Sequence, residues 1–428
     1  MRRSPAVSAR QQPILAVLFS RRMIVAALMG FSCGLPLLLT LGVLQAWMTE
    51  EGVDLAWVGM VTLVQSPYSW KFLWSPVLDR YTPPFLGRRR GWLMIVQLAL
   101  MAAIMLLGFS DPVRQPAWMA AAAMLVAFFS ATQDAVVDAY RREDLRDEEL
   151  GLGSSLYVYG YRIGMWAAAG GGLMLADLMP FSRVYLVMAA GMAPGILTTW
   201  LAPEPPAAAG RPASLRAAAW QPLADFFRRD GALWIMAFIL LYKIGDTMAA
   251  AISTPFYLEL GYSKSEIGAV VKLLGAWATI AGGVAGGILM LKAGIHRSLW
   301  VFGLLQAAST AGFAVLARIG YSLPALSVVI GFESITGGMG TSAFAAFMAS
   351  QTHRRFTATQ YALLTSIMGL PRVLASAPTG LAAKLMGWEG FFIFCTLAAL
   401  PGLLILLRMA PWRGKPPSGP ESTGAGQR

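Results

Sequence analysis

Twelve long apolar runs limit what this chain can become. They cover 23–49, 54–77, 91–109, 117–139, 155–177, 183–201, 233–257, 266–291, 297–317, 323–350, 358–384 and 388–409. A helix needs about 20 residues to cross a hydrocarbon layer about 30 Å thick. Within that layer backbone N–H and C=O groups must be satisfied by the protein itself, which favours helices for runs of this length. The runs therefore predict an all-α integral membrane protein with twelve transmembrane helices. Charged residues make up 13% of the chain, against about 25% in soluble domains. Cys33 and Cys395 both fall inside runs, so no disulfide framework is expected. Arg2, Arg3, Arg10, Arg21 and Arg22 precede the first run. That run is too long for the core of a secretory signal and has no small-residue cleavage site behind it. It is expected to stay as the first helix.

The net charge of +12, from 34 Lys+Arg and 22 Asp+Glu, would point to nucleic acid in a soluble protein. Here the position of the charges accounts for it. Arg80, Arg88, Arg89, Arg90, Arg141, Arg142, Arg146, Arg211, Arg216, Arg228, Arg229, Lys292, Arg297, Arg354 and Arg355 all follow even-numbered runs, and more basic residues lie at both ends of the chain. The opposite loops hold Arg114, Arg183, Lys264 and Arg318, with Lys384 at a border. Basic loops stay in the cytoplasm, so both termini are expected there and no nucleic-acid partner is. The Pro-rich, then amphipathic stretch 202–232 divides the chain. The expected organisation is a cytoplasmic N-terminal segment at 1–22, a six-helix half at 23–201, a cytoplasmic linker at 202–232, a second six-helix half at 233–410 and a disordered tail at 411–428.

One stretch between the second and third runs carries an unusual charge block. From Trp70 to Trp92 it reads WKFLWSPVLDRYTPPFLGRRRGW. Asp79-Arg80 ends a run, a Pro-rich loop follows, and Arg88, Arg89 and Arg90 precede the next run. About 210 residues later Leu291-Lys292 ends the eighth run, and Arg162 in the fifth run stands at nearly the same offset from Arg372 in the eleventh. These two pairs predict halves related by duplication, and the plan resembles the parallel repeats of the major facilitator superfamily. The loop is similar to that superfamily's Gly-x-Leu-x-Asp-Arg-x-Gly-Arg-Lys signature. Ser75 replaces the first Gly, and Thr82-Pro83-Pro84 delays Gly87. The second copy has Leu291 where the Asp is expected.

Several segments resemble the muropeptide permease family more closely. They include Gly34-Leu35-Pro36, Leu44-Gln45-Ala46-Trp47-Met48, Lys71-Phe72-Leu73-Trp74-Ser75-Pro76 and the GRRRGW run from Gly87 to Trp92. Gln133-Asp134 with Asp138, Gly160-Tyr161-Arg162, Ala202-Pro203-Glu204-Pro205 and Leu241-Tyr242-Lys243 also match, as do Gly337 to Phe344 and Ala358 to Leu364. The resemblance covers about residues 26 to 405. It implies import of anhydro-muropeptides (GlcNAc-anhydroMurNAc peptides) from periplasm to cytoplasm in peptidoglycan recycling, across the bacterial inner membrane and driven by a proton gradient. It implies no cofactor, a small glycopeptide as substrate, the lipid bilayer as surroundings, and a monomer. The alternative is another facilitator substrate, such as an acetyl-CoA-like anion, or export of a drug or siderophore. An enzyme is not expected: no metal-ligand cluster is visible, and His296 and His353 fall in predicted loops.

Ionisable groups inside membrane helices are costly, and each is a functional candidate. Asp134 and Asp138 are four residues apart and share a helix face, with Arg162 on the next run expected to reach the deeper of them. Burial raises a carboxylate's pKa and a nearby cation lowers it, so a substrate competing for the cation would move a proton. The competing reading is a static ion pair between helices. Asp246 and Glu333 complete the proton-coupling candidates. Lys243 and Asp246 are three apart and either neutralise one another or free Lys243 for a substrate carboxylate. Lys71, Lys272 and Arg372 have no acidic neighbour in sequence and suit an anionic ligand, and Glu333 is expected to pair with Lys272 or Arg372. Gln45, Tyr68, Trp70, Gln133, Tyr157 and Tyr161 offer the flat rings and amides that bind sugars. Trp47 and Trp92 suit the membrane interface instead. Asp79, Arg80, Arg88, Arg89 and Arg90 are expected to form a cytoplasmic gate. Gly170-Gly171-Gly172, Gly282-Gly283 and Gly286-Gly287 are expected to let helices pack closely.

Overall fold

A computed structural model describes residues 17–53, 61–206, 214–229, 231–263, 266–353, 356–375 and 378–409, and its regular elements there are all helical. Nine of the described helices are long and apolar enough to cross a membrane. In the first half these are α1 (Arg21–Glu50), α3 (Arg88–Gly108), α4 (Pro116–Asp144) and α6 (Phe181–Leu201). Between them lie α2, broken into Ser66–Trp70, Lys71–Leu73 and Ser75–Arg80, and α5 (Leu150–Trp166). The linker carries α7 (Leu215–Phe227). The second half contains α8 (Ala232–Glu259), α9 (Ile267–Ala293), α10 (Ile295–Ile319), α11 (Leu323–Ser350) and α13 (Thr379–Met409), with α12 (Thr357–Leu374) between the last two.

The breaks follow from local chemistry. Ser66-Pro67 and Ser75-Pro76 each start a new helical piece within the second run. Proline has no N–H to donate and clashes with the turn before it, so a helix restarts there rather than continuing. Lys71 is thereby set in a tight turn at the break. The eleventh run is interrupted too: α12 ends at Leu374, and the next helix begins at Thr379. Gly387, at φ 69°, makes the turn expected between the last two runs. Only glycine takes that backbone conformation without a steric penalty.

Backbone contact holds the first half together. A Cβ on Gly34 would lie 1.9 Å from the Tyr161 carbonyl oxygen, and one on Gly160 would lie 1.9 Å from that of Ala27. Helices α1 and α5 therefore meet at distances only glycine permits. In the second half Gly282 and Gly338 hold α9 and α11 in the same way, at 2.0 Å from Ile335 and 2.2 Å from Thr279. The packing expectation thus applies to Gly282, Gly286 and Gly287, whereas Gly170 and Gly171 have nothing within 4 Å. They lie in a π-helical turn, Ala167–Gly171, that extends α5. Gly160→Val is expected to destabilise the protein by about 3 kcal/mol or more, because neither backbone can yield. Thermal unfolding in detergent checks this, and an unshifted transition would refute the close contact.

Three expectations change. Helix α4 continues past residue 139 to Asp144, so Arg141 lies on a helix and is only 2% exposed rather than in a loop. His296 is likewise inside α10, with its ring 6.5 Å from that of Phe347. Trp47 is buried rather than interfacial, stacked against Phe181 at 5.8 Å and Tyr185 at 5.5 Å. In each case an apolar-run boundary was a poor guide to burial, because helix ends and rings are covered by neighbouring helices.

The halves meet at the end of the bundle that bears the arginine-rich loop, here called the basic end. There Gly287 of α9 faces Ser155 of α5, and Gly151 faces Met290. The outer surfaces of both halves expose apolar side chains such as Leu125, Leu197, Val328 and Leu404, as a multi-pass membrane protein requires.

Candidate substrate pathway

Asp79 ends α2 and is fully buried. Its carboxylate accepts from Arg89 Nη2 at 2.8 Å, from the Thr359 N–H at 2.9 Å and hydroxyl at 2.7 Å, and from the Ala358 N–H at 3.3 Å. The last three donors belong to the first turn of α12, where N–H groups have no partner within the helix and the dipole is positive. Asp79 therefore caps a helix of the other half. Arg89, itself fully buried, donates through Nε and Nη2 to Glu143, at 3.1 and 2.6 Å, and through Nη1 to the Leu78 carbonyl at 3.3 Å. Arg88 reaches the same Glu143 at 3.0 Å. Glu204 accepts from the backbone N–H groups of Arg89 and Arg90, so it caps α3, while Arg90 Nε donates to Thr199 O at 2.9 Å. The Arg80 guanidinium lies over the Tyr81 ring, 5.6 Å from its centroid. The five expected gate residues are thus distributed unequally. Asp79 joins the halves through α12 with Arg89 behind it, Arg88 and Arg90 brace α3 within the first half, and Glu143, Glu204 and Thr359 are partners the charge pattern did not reveal. Leu291, in the place of the second Asp, packs against the apolar core.

Deeper in the first half, Lys71, Asp134 and Asp138 form one polar group. Lys71 is 5% exposed, Asp134 7% and Asp138 4%, and the Lys71 ammonium acts electrostatically on both carboxylates. One oxygen of Asp134 has no hydrogen-bond partner, and its side chain contacts the Cys33 thiol. Asp138 accepts from Arg141 at 3.1 Å. Lys71, which has no acidic neighbour in sequence, is therefore the cation of the Asp134 site. Gln133 is fully buried and donates to Ser32 at 3.2 Å, between α4 and α1. Tyr68 donates to Ser130 at 2.7 Å, and Tyr157 and Tyr161 lie with ring centroids 6.1 Å apart. Gln45 and Tyr161 are half-buried, and Trp70 is exposed.

A second group spans the halves. Lys243 Nζ lies 3.3 Å from Asp246 and donates to Thr341 at 3.0 Å, with both charged side chains partly open to solvent. Glu333 of α11 interacts electrostatically with Asp246, Lys243 and Arg162. The charge of Arg162 is therefore felt by Glu333 across the interface, and the expected reach to Asp134 is replaced by that electrostatic pairing. Glu333 likewise interacts electrostatically with Lys243 and Arg162, and the expected pairing with Lys272 is not among its interactions with the described residues. Lys272 is exposed on the π-helical turn Ile267–Leu274, and the side chain of Arg372 lies outside the described residues. The mismatch has a plain cause: α5 turns its Gly160 and Gly164 edge toward α1, which leaves Arg162 on a different face. The candidate pathway thus combines a buried carboxylate–cation group with a more open one that draws on both halves.

A sequence model of the Major Facilitator Superfamily matches residues 22–376. The anhydromuropeptide permease of Escherichia coli K12 is 44% identical over 399 residues, covering 93% of this chain and 80% of that protein. The chain belongs to the anhydromuropeptide permease family of the major facilitator superfamily. A second member of this permease family, the putative transporter AmpG 4 of Rickettsia felis, is 32% identical over 390 residues, covering 89% of this chain and 94% of its own. Among solved structures the proton:xylose symporter XylE bound to 6-bromo-6-deoxy-D-glucose superposes with a TM-score of 0.68 at 12% identity, covering 96% of this chain and 98% of that one. That likeness establishes the all-helical facilitator fold. The relatives are transporters rather than enzymes, and this permease-family member is a transporter too.

Proposed function

We propose that this chain imports anhydro-muropeptides from periplasm to cytoplasm, coupled to protons, by alternating access of two six-helix halves. In this reading twelve helices cross the inner membrane, both termini are cytoplasmic, and the basic end is the cytoplasmic face. The protein works as a monomer without a cofactor, and the proton gradient supplies the driving force. The observation that carries the substrate is the 44% identity to the E. coli permease along 93% of the chain. The chemistry agrees with it. A peptide stem brings carboxylates, and Arg162 and Lys243 place cations where the halves face one another. Tyr161, Gln45 and Tyr68 supply ring and amide surface for the sugars. Asp134, with a buried oxygen lacking a partner and Lys71 beside it, is the coupling carboxylate. Asp79 and Arg89 close the cytoplasmic face by holding α12, and the path then opens toward the periplasm.

The test is uptake of labelled GlcNAc-anhydroMurNAc-tripeptide into proteoliposomes. An inward proton gradient is expected to drive accumulation well above the level reached without it, and unlabelled acetyl-CoA is expected not to compete. Uptake that ignores the gradient would remove proton coupling from the reading. Competition by acetyl-CoA with no glycopeptide uptake would favour the other anionic substrate.

A further inference from the structure

We infer that Arg141 is a substrate anion site on the basic-end half of the pathway, covered in this conformation by Tyr361 and uncovered when the halves part there. The inference rests on the transport reading above. Arg141 is 2% exposed. Its Nη2 donates to Asp138 at 3.1 Å and to the Tyr361 hydroxyl at 2.8 Å, and its guanidinium lies 4.3 Å from the Tyr157 ring centroid. Nε and Nη1 have no hydrogen-bond partner. A buried charged group with idle donors is costly. A cation needed only to neutralise Asp138 could be a lysine, which has fewer donors to satisfy and no rigid fork. An arginine that uses one nitrogen and leaves two idle is instead suited to a ligand that arrives later.

Its position fits that role. Asp134, Asp138 and Arg141 follow one another at helical spacing along α4, and Arg141 lies about 10 Å nearer the basic end than Asp134 at 1.5 Å per residue. A carboxylate leaving Arg162 and Lys243 toward that end meets Arg141 next. The cover belongs to the other half: Tyr361 is on α12, two residues beyond the Thr359 that Asp79 holds. Release of the Asp79 contact lets α12 move and carries Tyr361 off the guanidinium. The donor it vacates then joins the two idle nitrogens in facing the opened path, as charge-assisted carboxylate binding requires.

The full chain, reconstituted in one orientation, is assayed by exchange of labelled GlcNAc-anhydroMurNAc-tripeptide, with KM measured separately at each membrane face. Arg141→Gln is expected to raise KM at the basic-end face about tenfold or more, the loss of a charge-assisted contact, and to leave KM at the other face within about twofold. Arg141→Lys keeps a charge beside Asp138 and guards against a folding defect; it is expected to shift the same face by a smaller factor. A shift equal at both faces, or none with either variant, overturns the inference. Wild-type protein that exchanges no glycopeptide overturns the transport reading itself, and this inference with it.

Discussion

Asp134→Asn is expected to abolish proton-driven accumulation while preserving exchange of substrate between the two faces. The carboxylate is 7% exposed, one of its oxygens has no partner, and its neighbours are the Lys71 ammonium and the Cys33 thiol. Asparagine has nearly the same shape but no proton to lose, so the cycle runs without carrying charge. One elementary charge crossing 100 mV is worth about 2.3 kcal/mol. At about 1.4 kcal/mol per tenfold, steady-state accumulation should fall roughly 50-fold for each coupled proton lost. Proteoliposomes with a fixed membrane potential give the number. If the variant still concentrates glycopeptide as the wild type does, Asp134 is a structural group and the coupling site lies elsewhere. Asp138 makes a useful contrast, because Arg141 already binds it.

Arg89→Gln should have the largest effect on stability. The guanidinium is fully buried and satisfies Asp79 and Glu143 together, at 2.8 and 2.6 Å. Removing it leaves buried Asp79 with only its α12 donors and Glu143 with Arg88 as its remaining cation, and breaking a buried pair in this way costs about 3–5 kcal/mol. Arg89→Lys keeps the charge but not the fork that reaches both carboxylates, so it should restore only part of the loss. Arg114→Gln, on a side chain 87% exposed, should change nothing measurable. Thermal unfolding in detergent separates these outcomes. An Arg89→Gln transition matching that of Arg114→Gln would mean that the buried triad contributes no net stability.

The two predictions concern residues that differed in how well they could be read from the chain alone. Arg89 stands in a conspicuous charge block, which marks it for attention in the sequence. Its partners are not so marked: Glu143 lies 54 residues away, and Thr359 lies 280 residues from Asp79. Asp134 was recognisable as an ionisable group within an apolar run, but its cation was misassigned. Periodicity along one helix places residues on faces, yet it does not say which face meets which neighbour. Close contact of glycines between α1 and α5 decides that here, turning Arg162 toward Glu333 and leaving Lys71 to Asp134. Arg141 reads as a loop residue from hydropathy alone, because hydropathy falls at the end of a run while the helix itself continues to Asp144.

The sequence alone establishes the class of protein and its family. Long apolar runs allow only membrane helices, because backbone groups in lipid must be satisfied within each segment, and segment-by-segment likeness identified the family. The pairing of charges, in contrast, becomes visible only in the folded chain. Buried ion pairs depend on distances of a few ångströms, and those distances are set by how helices rotate and approach, which many small packing contacts determine jointly. The arginine-rich loop shows both sides of this: its charges stand out in the chain, but only the fold shows that Asp79 caps a helix of the opposite half.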